Sequence, residues 1–207
     1  PGPNGVLIIS GQYGVLNIAP NGDYTYTRNP GTPGGVVDVF RYTLTDGDTD
    51  QAPANLTINI GDDLPVLHVP GAGAPGTQVD EAGLPVRPGE TPGSNEAATS
   101  ETTAGAITFN AKDGPATLTI DGVPVSGVVG QTFPGAHGTL TVTGFTVDPV
   151  TGAGTLTYSY TLTDNNLLGD VSFDDFAVTV TDADGDAANA TLKIDIKDDE
   201  PSISVVA

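Results

Sequence analysis

An all-β protein built of tandem β-sandwich repeats is the fold class this sequence predicts, and three observations carry the prediction. First, 28 Gly and 17 Pro among 207 residues punctuate short runs rich in Val, Ile, Leu and Thr. Runs of β-branched residues closed by Gly and Pro read as strands and turns. Second, no stretch places apolar residues at i, i+3, i+4 and i+7 over three turns, so no amphipathic helix is expected. Third, the chain repeats itself. The segment at 37–65, VDVFRYTLTDGDTDQAPANLTINIGDDLP, overlays 174–201 without a gap, Phe40 falling on Phe176 at an offset of 136. That offset carries Asp46, Asp48 and Asp50 onto Asp182, Asp184 and Asp186, and Pro65 onto Pro201. A period above 100 residues means tandem globular units, not a solenoid.

Taken in order, the strands of the second copy are expected near 66–69, 105–110, 116–120, 138–146, 154–162, 174–181 and 189–196. Seven short strands separated by turn signals suggest an immunoglobulin-like (cadherin-like) Greek-key sandwich. The first copy shares only the later strands. GQYGVLNI (11–18) resembles GAHGTLTV (135–142), and DYTYT (23–27) resembles TYSYT (157–161). The expected division is therefore residues 1–65 as the C-terminal part of one repeat, truncated or short at its start. Residues 66–201 form a complete repeat, and residues 202–207 the first strand of a following one. Residues 71–103, rich in Pro, Gly, Ser and Thr, read as a long loop or covering arm with little regular structure.

Charge narrows the function classes. Twenty-six acidic side chains face 6 basic ones, for a formal net charge of −20. Such a surface repels phosphates and anionic headgroups, so neither nucleic acid nor direct membrane insertion is expected. No apolar run approaches the length of a span. Cysteine is absent, so rigidity cannot come from disulfides.

The carboxylates are clustered. Asp46-Gly-Asp48-Thr-Asp50 and Asp182-Ala-Asp184-Gly-Asp186 close the last hairpin of each copy. Asp62-Asp63 and Asp198-Asp199-Glu200 follow the last strand. Asp-Gly turns are ordinary hairpin chemistry. Three alternating Asp recurring with a second acidic group point instead to Ca2+, which takes six to eight oxygen ligands. The final strand, about eight residues at ~3.3 Å each, separates its ends by roughly 26 Å, so the two clusters of one repeat cannot share an ion. Asp62 and Asp63 are expected to share calcium with Asp182, Asp184 and Asp186 of the next repeat. Asp80 and Glu81 would join them if the arm folds back to that pole. Asp198, Asp199 and Glu200 would serve the following junction, with Asp174 or Asp175 as further contributors. Asp38 and Asp174 stand open between turn capping and ligation.

Catalysis is not expected. No Cys nucleophile, G-x-S-x-G elbow or H-E-x-x-H helix is present. His68 alternates with apolar neighbours and reads as structural; His137, in a Gly-rich turn, reads as exposed.

The segment FAVTVTDADGDAANATLKIDIKDDEP resembles the closing motif of extender repeats in type I-secreted giant bacterial adhesins with RTX tails. GDYTYT…DVFRYTLTDGDTD is similar to VCBS and cadherin-like bacterial repeats. The resemblance covers most of 11–65 and 105–201, although no GGxGxDxUx nonapeptide is present. It implies a bacterial Ig-like stalk domain at the cell surface with calcium at repeat junctions, supporting attachment and biofilm formation. Its partners would be neighbouring repeats of the same chain. The alternatives are a lectin-like module, with Tyr13, Tyr24 and Tyr26 as candidate sugar contacts, and a fibre that self-associates through an edge strand donated by PSISVVA.

Overall fold

The computed structural model describes residues 5–114, 116–165 and 172–199. Glu200 and the segment 202–207 lie outside them. The described chain is all-β in four sheets, with a 3-10 turn at Glu81–Gly83.

Among the described residues, fifteen strands follow one another. The N-terminal unit holds β1 (Leu7–Ser10), β2 (Gly14–Ile18), β3 (Tyr24–Arg28), β4 (Val37–Thr45) and β5 (Gln51–Asn59). The C-terminal unit holds β6 (Val66–His68), β7 (Gln78–Asp80), β8 (Thr102–Asn110), β9 (Thr117–Ile120), β10 (Val123–Pro124) and β11 (Thr132–Pro134). It continues with β12 (Gly138–Val147), β13 (Ala153–Leu162), β14 (Phe173–Thr181) and β15 (Ala187–Lys197).

The C-terminal unit is a sandwich of five-stranded sheets, β11-β12-β13-β8-β6 facing β10-β9-β14-β15-β7. The chain crosses between them after β6, β7, β8, β10 and β13, so β13 lies beside β8 and β14 beside β9. This is the Greek-key order of an immunoglobulin sandwich. Period-2 alternation sets which side chains go in. Ile107, Phe109, Leu140, Val142, Leu156, Tyr158 and Tyr160 from one sheet meet Leu118, Ile120, Phe176, Val178, Val180, Leu192 and Ile194 from the other, all buried. Fully burying one such side chain stabilises by about 1.5–3 kcal/mol, so this layer is the main source of stability.

The arm differs from expectation. Although mostly irregular, it forms β7 at residues 78–80, which pairs in parallel with the end of β15, Val79 opposite Ile196. Val79 and Leu84 are core residues. The arm thus closes one edge of the sandwich. A run of three paired residues gives too short an alternation to stand out among Pro and Gly. β10 and β11, of two and three residues, escape sequence reading for the same reason.

One buried motif occurs in both units. Asp174 is buried, and its carboxylate accepts hydrogen bonds from the backbone N–H of Ala136 (3.1 Å), His137 (3.1 Å) and Gly138 (3.1 Å). The Tyr160 hydroxyl donates to it at 2.7 Å. Asp38 repeats this with the N–H of Gln12 (2.9 Å) and Tyr13 (3.1 Å) and the Tyr26 hydroxyl (2.7 Å). Burial would raise the Asp38 pKa, but the bonds from Tyr26, Tyr13 and Gln12 hold it below the ordinary carboxylate value. Burial and the Asp38 bond push Tyr26 up to about 12. The G-x-x-G turns at 11–14 and 135–138 exist for these carboxylates: a Cβ on Gly11 or Gly135 would collide with the Asp, and one on Gly14 or Gly138 with the Tyr ring. Asp38 and Asp174 are therefore capping residues, and Asp174 cannot also serve as a ligand at the trailing pole. His137, expected to be exposed, is buried because its turn folds over Asp174.

Candidate metal centre

The N-terminal and C-terminal units meet where the acidic residues converge. β14 and β15 are joined by the turn 182–186. The Asp182 N–H donates to the Asp186 carbonyl at 3.0 Å. Asp182 Oδ1 in turn accepts from the N–H of Gly185 (3.2 Å) and Asp186 (2.9 Å). This folds the turn so that Asp184 and Asp186 project from the leading pole of the sandwich. β5 ends at Asn59, and the chain then carries Asp62 to the same pole.

Asp62, Asp184 and Asp186 each place a carboxylate oxygen within 4.8 Å of the others. Oxygens bound to calcium at roughly 2.4 Å lie up to about 4.8 Å apart, so the three carboxylates are close enough to hold one ion. A second feature points the same way. Asp182 is buried, and its Oδ2 finds no hydrogen-bond donor among the described residues. A buried carboxylate oxygen without a donor is costly and fits a cation as partner. Electrostatics agree. Burial pushes Asp62 above the ordinary carboxylate range, and the charges of Asp186, Asp184 and Asp113 add to it. Burial and the adjacent Asp184 carboxyl raise Asp182 to about 6, while Asp184 is lowered by its bond with Asp182. Like charges this close repel one another, a repulsion that a bound cation would relieve.

The remaining expected ligands fall elsewhere. Asp63 turns to Lys112 at 3.6 Å, and its N–H donates to Asp113. Asp80 and Glu81 do not reach this pole. Parallel pairing of β7 with β15 sets Asp80 beside Lys197 at the trailing pole, 2.7 Å away. Its Oδ1 caps the 3-10 turn through the Ala82 N–H at 2.9 Å. At that pole Asp199 accepts from the Ser94 N–H at 2.6 Å. Asp198 and Asp199 line a small hollow with Glu81, Arg87 and Asn165. Asp175 lies within β14, opposite Lys193 on β15. Asp46, Asp48 and Asp50 form a compact exposed triad of their own, and the Asp46 carboxylate accepts from the Asp50 N–H at 2.9 Å.

Three junction residues escape sequence reading. Asp113, fully buried, accepts from the Arg28 guanidinium at 2.7 Å. The Gly34 N–H donates to Asp184 at 2.8 Å. A Cβ on Gly34 would run into both Asp62 and Asp113. Asp113 lies in a Lys-Asp-Gly-Pro segment that reads as an ordinary turn, and the N-terminal unit has no counterpart of it, so no repeat signal marks it. Removing Arg28 strands a buried charge. Arg28→Ala is expected to cost roughly 3 kcal/mol, the low end for breaking a buried pair, read as a fall in the midpoint of denaturant unfolding.

Comparison with known sequences bears on the N-terminal unit. Residues 3–59 match the family described as the bacterial Ig domain. The β14–β15 hairpin of the C-terminal unit repeats the sequence of the matched β4–β5 hairpin at the 136-residue offset. No curated protein matches the chain.

Proposed function

We propose that this chain is an extender segment of a large, surface-anchored bacterial adhesin, in which calcium at repeat junctions stiffens a row of Ig-like sandwiches. Bacterial Ig domains are structural modules typical of extracellular and surface proteins, which supports a non-enzymatic role outside the cell. The observation that carries the reading is the meeting of Asp62 from one unit with Asp184 and Asp186 from the next. Neither unit holds the full ligand set, so an ion bound there would lock the angle between them. The equivalent exposed triad Asp46, Asp48 and Asp50 would receive the end of a preceding repeat. The adhesin role, type I secretion and biofilm support rest on the resemblance of the closing motif to RTX-adhesin repeats.

Small-angle scattering tests the mechanism. With millimolar calcium the chain is expected to have a larger and sharper maximum dimension than in EDTA, and Asp62→Asn should abolish the difference. Identical profiles with and without calcium would rule the stiffening out.

A further inference from the structure

Asp113 lies behind the cluster of Asp62, Asp184 and Asp186 without belonging to it. Those three carboxylates approach one another within 4.8 Å, and Asp113 is not among them. Both of its oxygens are engaged. Oδ1 accepts from the Arg28 guanidinium at 2.7 Å, and Oδ2 accepts from the Asp63 N–H. With its side chain fully buried as well, Asp113 acts on the cluster through the groups it holds.

Those groups include two of the three carboxylates. The bond from the Asp63 N–H fixes the backbone immediately after Asp62. Arg28 donates also to the Thr32 carbonyl. Thr32 is buried, and its hydroxyl reaches the Asn29 carbonyl at 2.7 Å and the Tyr13 carbonyl at 3.1 Å. The loop from 29 to 34 is thereby pinned, and its Gly34 N–H donates to Asp184 at 2.8 Å. Gly34 itself is wedged between Asp62 and Asp113, with no room for a Cβ. One guanidinium thus secures the segment that carries Asp62 and the loop that orients Asp184, one ligand from each unit. The arginine is an addition to the repeat pattern. Two residues beyond Tyr26, which donates to Asp38, stands Arg28; two beyond Tyr160, which donates to Asp174, stands Leu162, a core residue.

We propose that Arg28 and Asp113 are positioning residues for the junction cation. They touch no ion, and they hold Asp62 and Asp184 where an ion can take both. The role rests on the calcium reading of this junction. Site rigidity is one of the terms that sets calcium affinity, and outer-shell partners of ligating groups are typically worth about 10–100-fold in metal affinity. Charge alone predicts the opposite for Arg28. A cation beside a cation site repels the ion, so its removal would tighten binding. The sign of the effect therefore separates positioning from electrostatics.

The test is calcium titration by isothermal calorimetry on the full chain, with Asp46→Asn/Asp48→Asn/Asp50→Asn throughout to silence the exposed triad. Asp62→Asn should remove one binding event, which identifies the junction ion. Arg28→Ala is expected to weaken that event by about 10–100-fold, and Arg28→Lys, which keeps the charge and a donor, by less. Arg28→Met/Asp113→Leu removes the pair together, strands no buried charge and leaves the net charge unchanged. It should weaken the same event to a similar extent, where charge alone predicts no change. In EDTA the Asp63 and Gly34 amides of this double variant should exchange hydrogen faster than those of the parent. Affinity that is unchanged or tighter in both Arg28→Ala and the double variant, while Asp62→Asn still removes the event, overturns the positioning role and leaves the calcium reading standing. Identical titrations of the parent and Asp62→Asn overturn the calcium reading, and the positioning role with it.

Discussion

Asp174→Ala is expected to destabilise the C-terminal sandwich by roughly 3–5 kcal/mol, the largest single effect outside the apolar core. The carboxylate satisfies three backbone N–H groups and the Tyr160 hydroxyl inside the protein. Each buried donor left without a partner costs about 1–3 kcal/mol, although some of the four would recover water through the vacated space. Asp174→Asn should also be costly, because an amide NH2 would face the N–H groups as a further donor. Tyr160→Phe removes a single bond and should cost only about 1 kcal/mol. Asp38→Ala should cost less than Asp174→Ala, because Asp38 lines an open hollow with Gly11 and Gln12 through which water can reach the freed groups. Thermal unfolding measures all four. The loss at Asp174 should be the same in EDTA as in calcium, and a loss seen only in calcium would make this residue a ligand after all.

The fold is legible in the sequence because the alternation is long where it matters. β8, β12, β13, β14 and β15 each run nine residues or more, and their inward residues sit at every second position. The convergence of Asp62 with Asp184 and Asp186 follows from strand length alone, since a strand's two ends cannot share an ion but abutting repeats can. Asp80 and Glu81 are misplaced by sequence reasoning for a physical reason. Whether an arm folds to the leading or the trailing pole depends on a parallel pairing of three residues, and that pairing leaves no period. Asp113 and Arg28 go unseen because an ion pair between the end of a strand and a distant loop has no local signature. The capping role of Asp38 and Asp174 is present as a pattern, G-x-x-G, then Tyr, then Asp, recurring in both copies. It becomes readable only once the turn and the hydroxyl are seen on the same carboxylate.

Calcium should raise the unfolding midpoint of the chain, and the gain should shrink as pH falls. At a free concentration 100 times the dissociation constant, a ligand that binds only the folded state adds about 2.7 kcal/mol, roughly 5–10 °C for a chain of this length. The pH dependence without calcium has the opposite sense. The folded-state pKa of Asp182 is raised to about 6 by burial and by Asp184, so its protonation favours the folded form. Stability from this group is full below the ordinary carboxylate value and is lost as pH rises through about 6. Asp62, also raised, acts in the same direction. Asp184, lowered, contributes stability that is lost only in more acidic solution. In EDTA the junction should therefore gain stability between pH 7.5 and 5. In calcium it should lose some of the ion's contribution over that range, as protons compete for the same oxygens. Asp182→Asn keeps the Oδ1 acceptor that caps the turn and removes the buried charge. It should flatten the EDTA profile and weaken the calcium response, separating the ligand role from the structural one. Parallel pH profiles in EDTA and calcium would mean that no ion binds among these carboxylates.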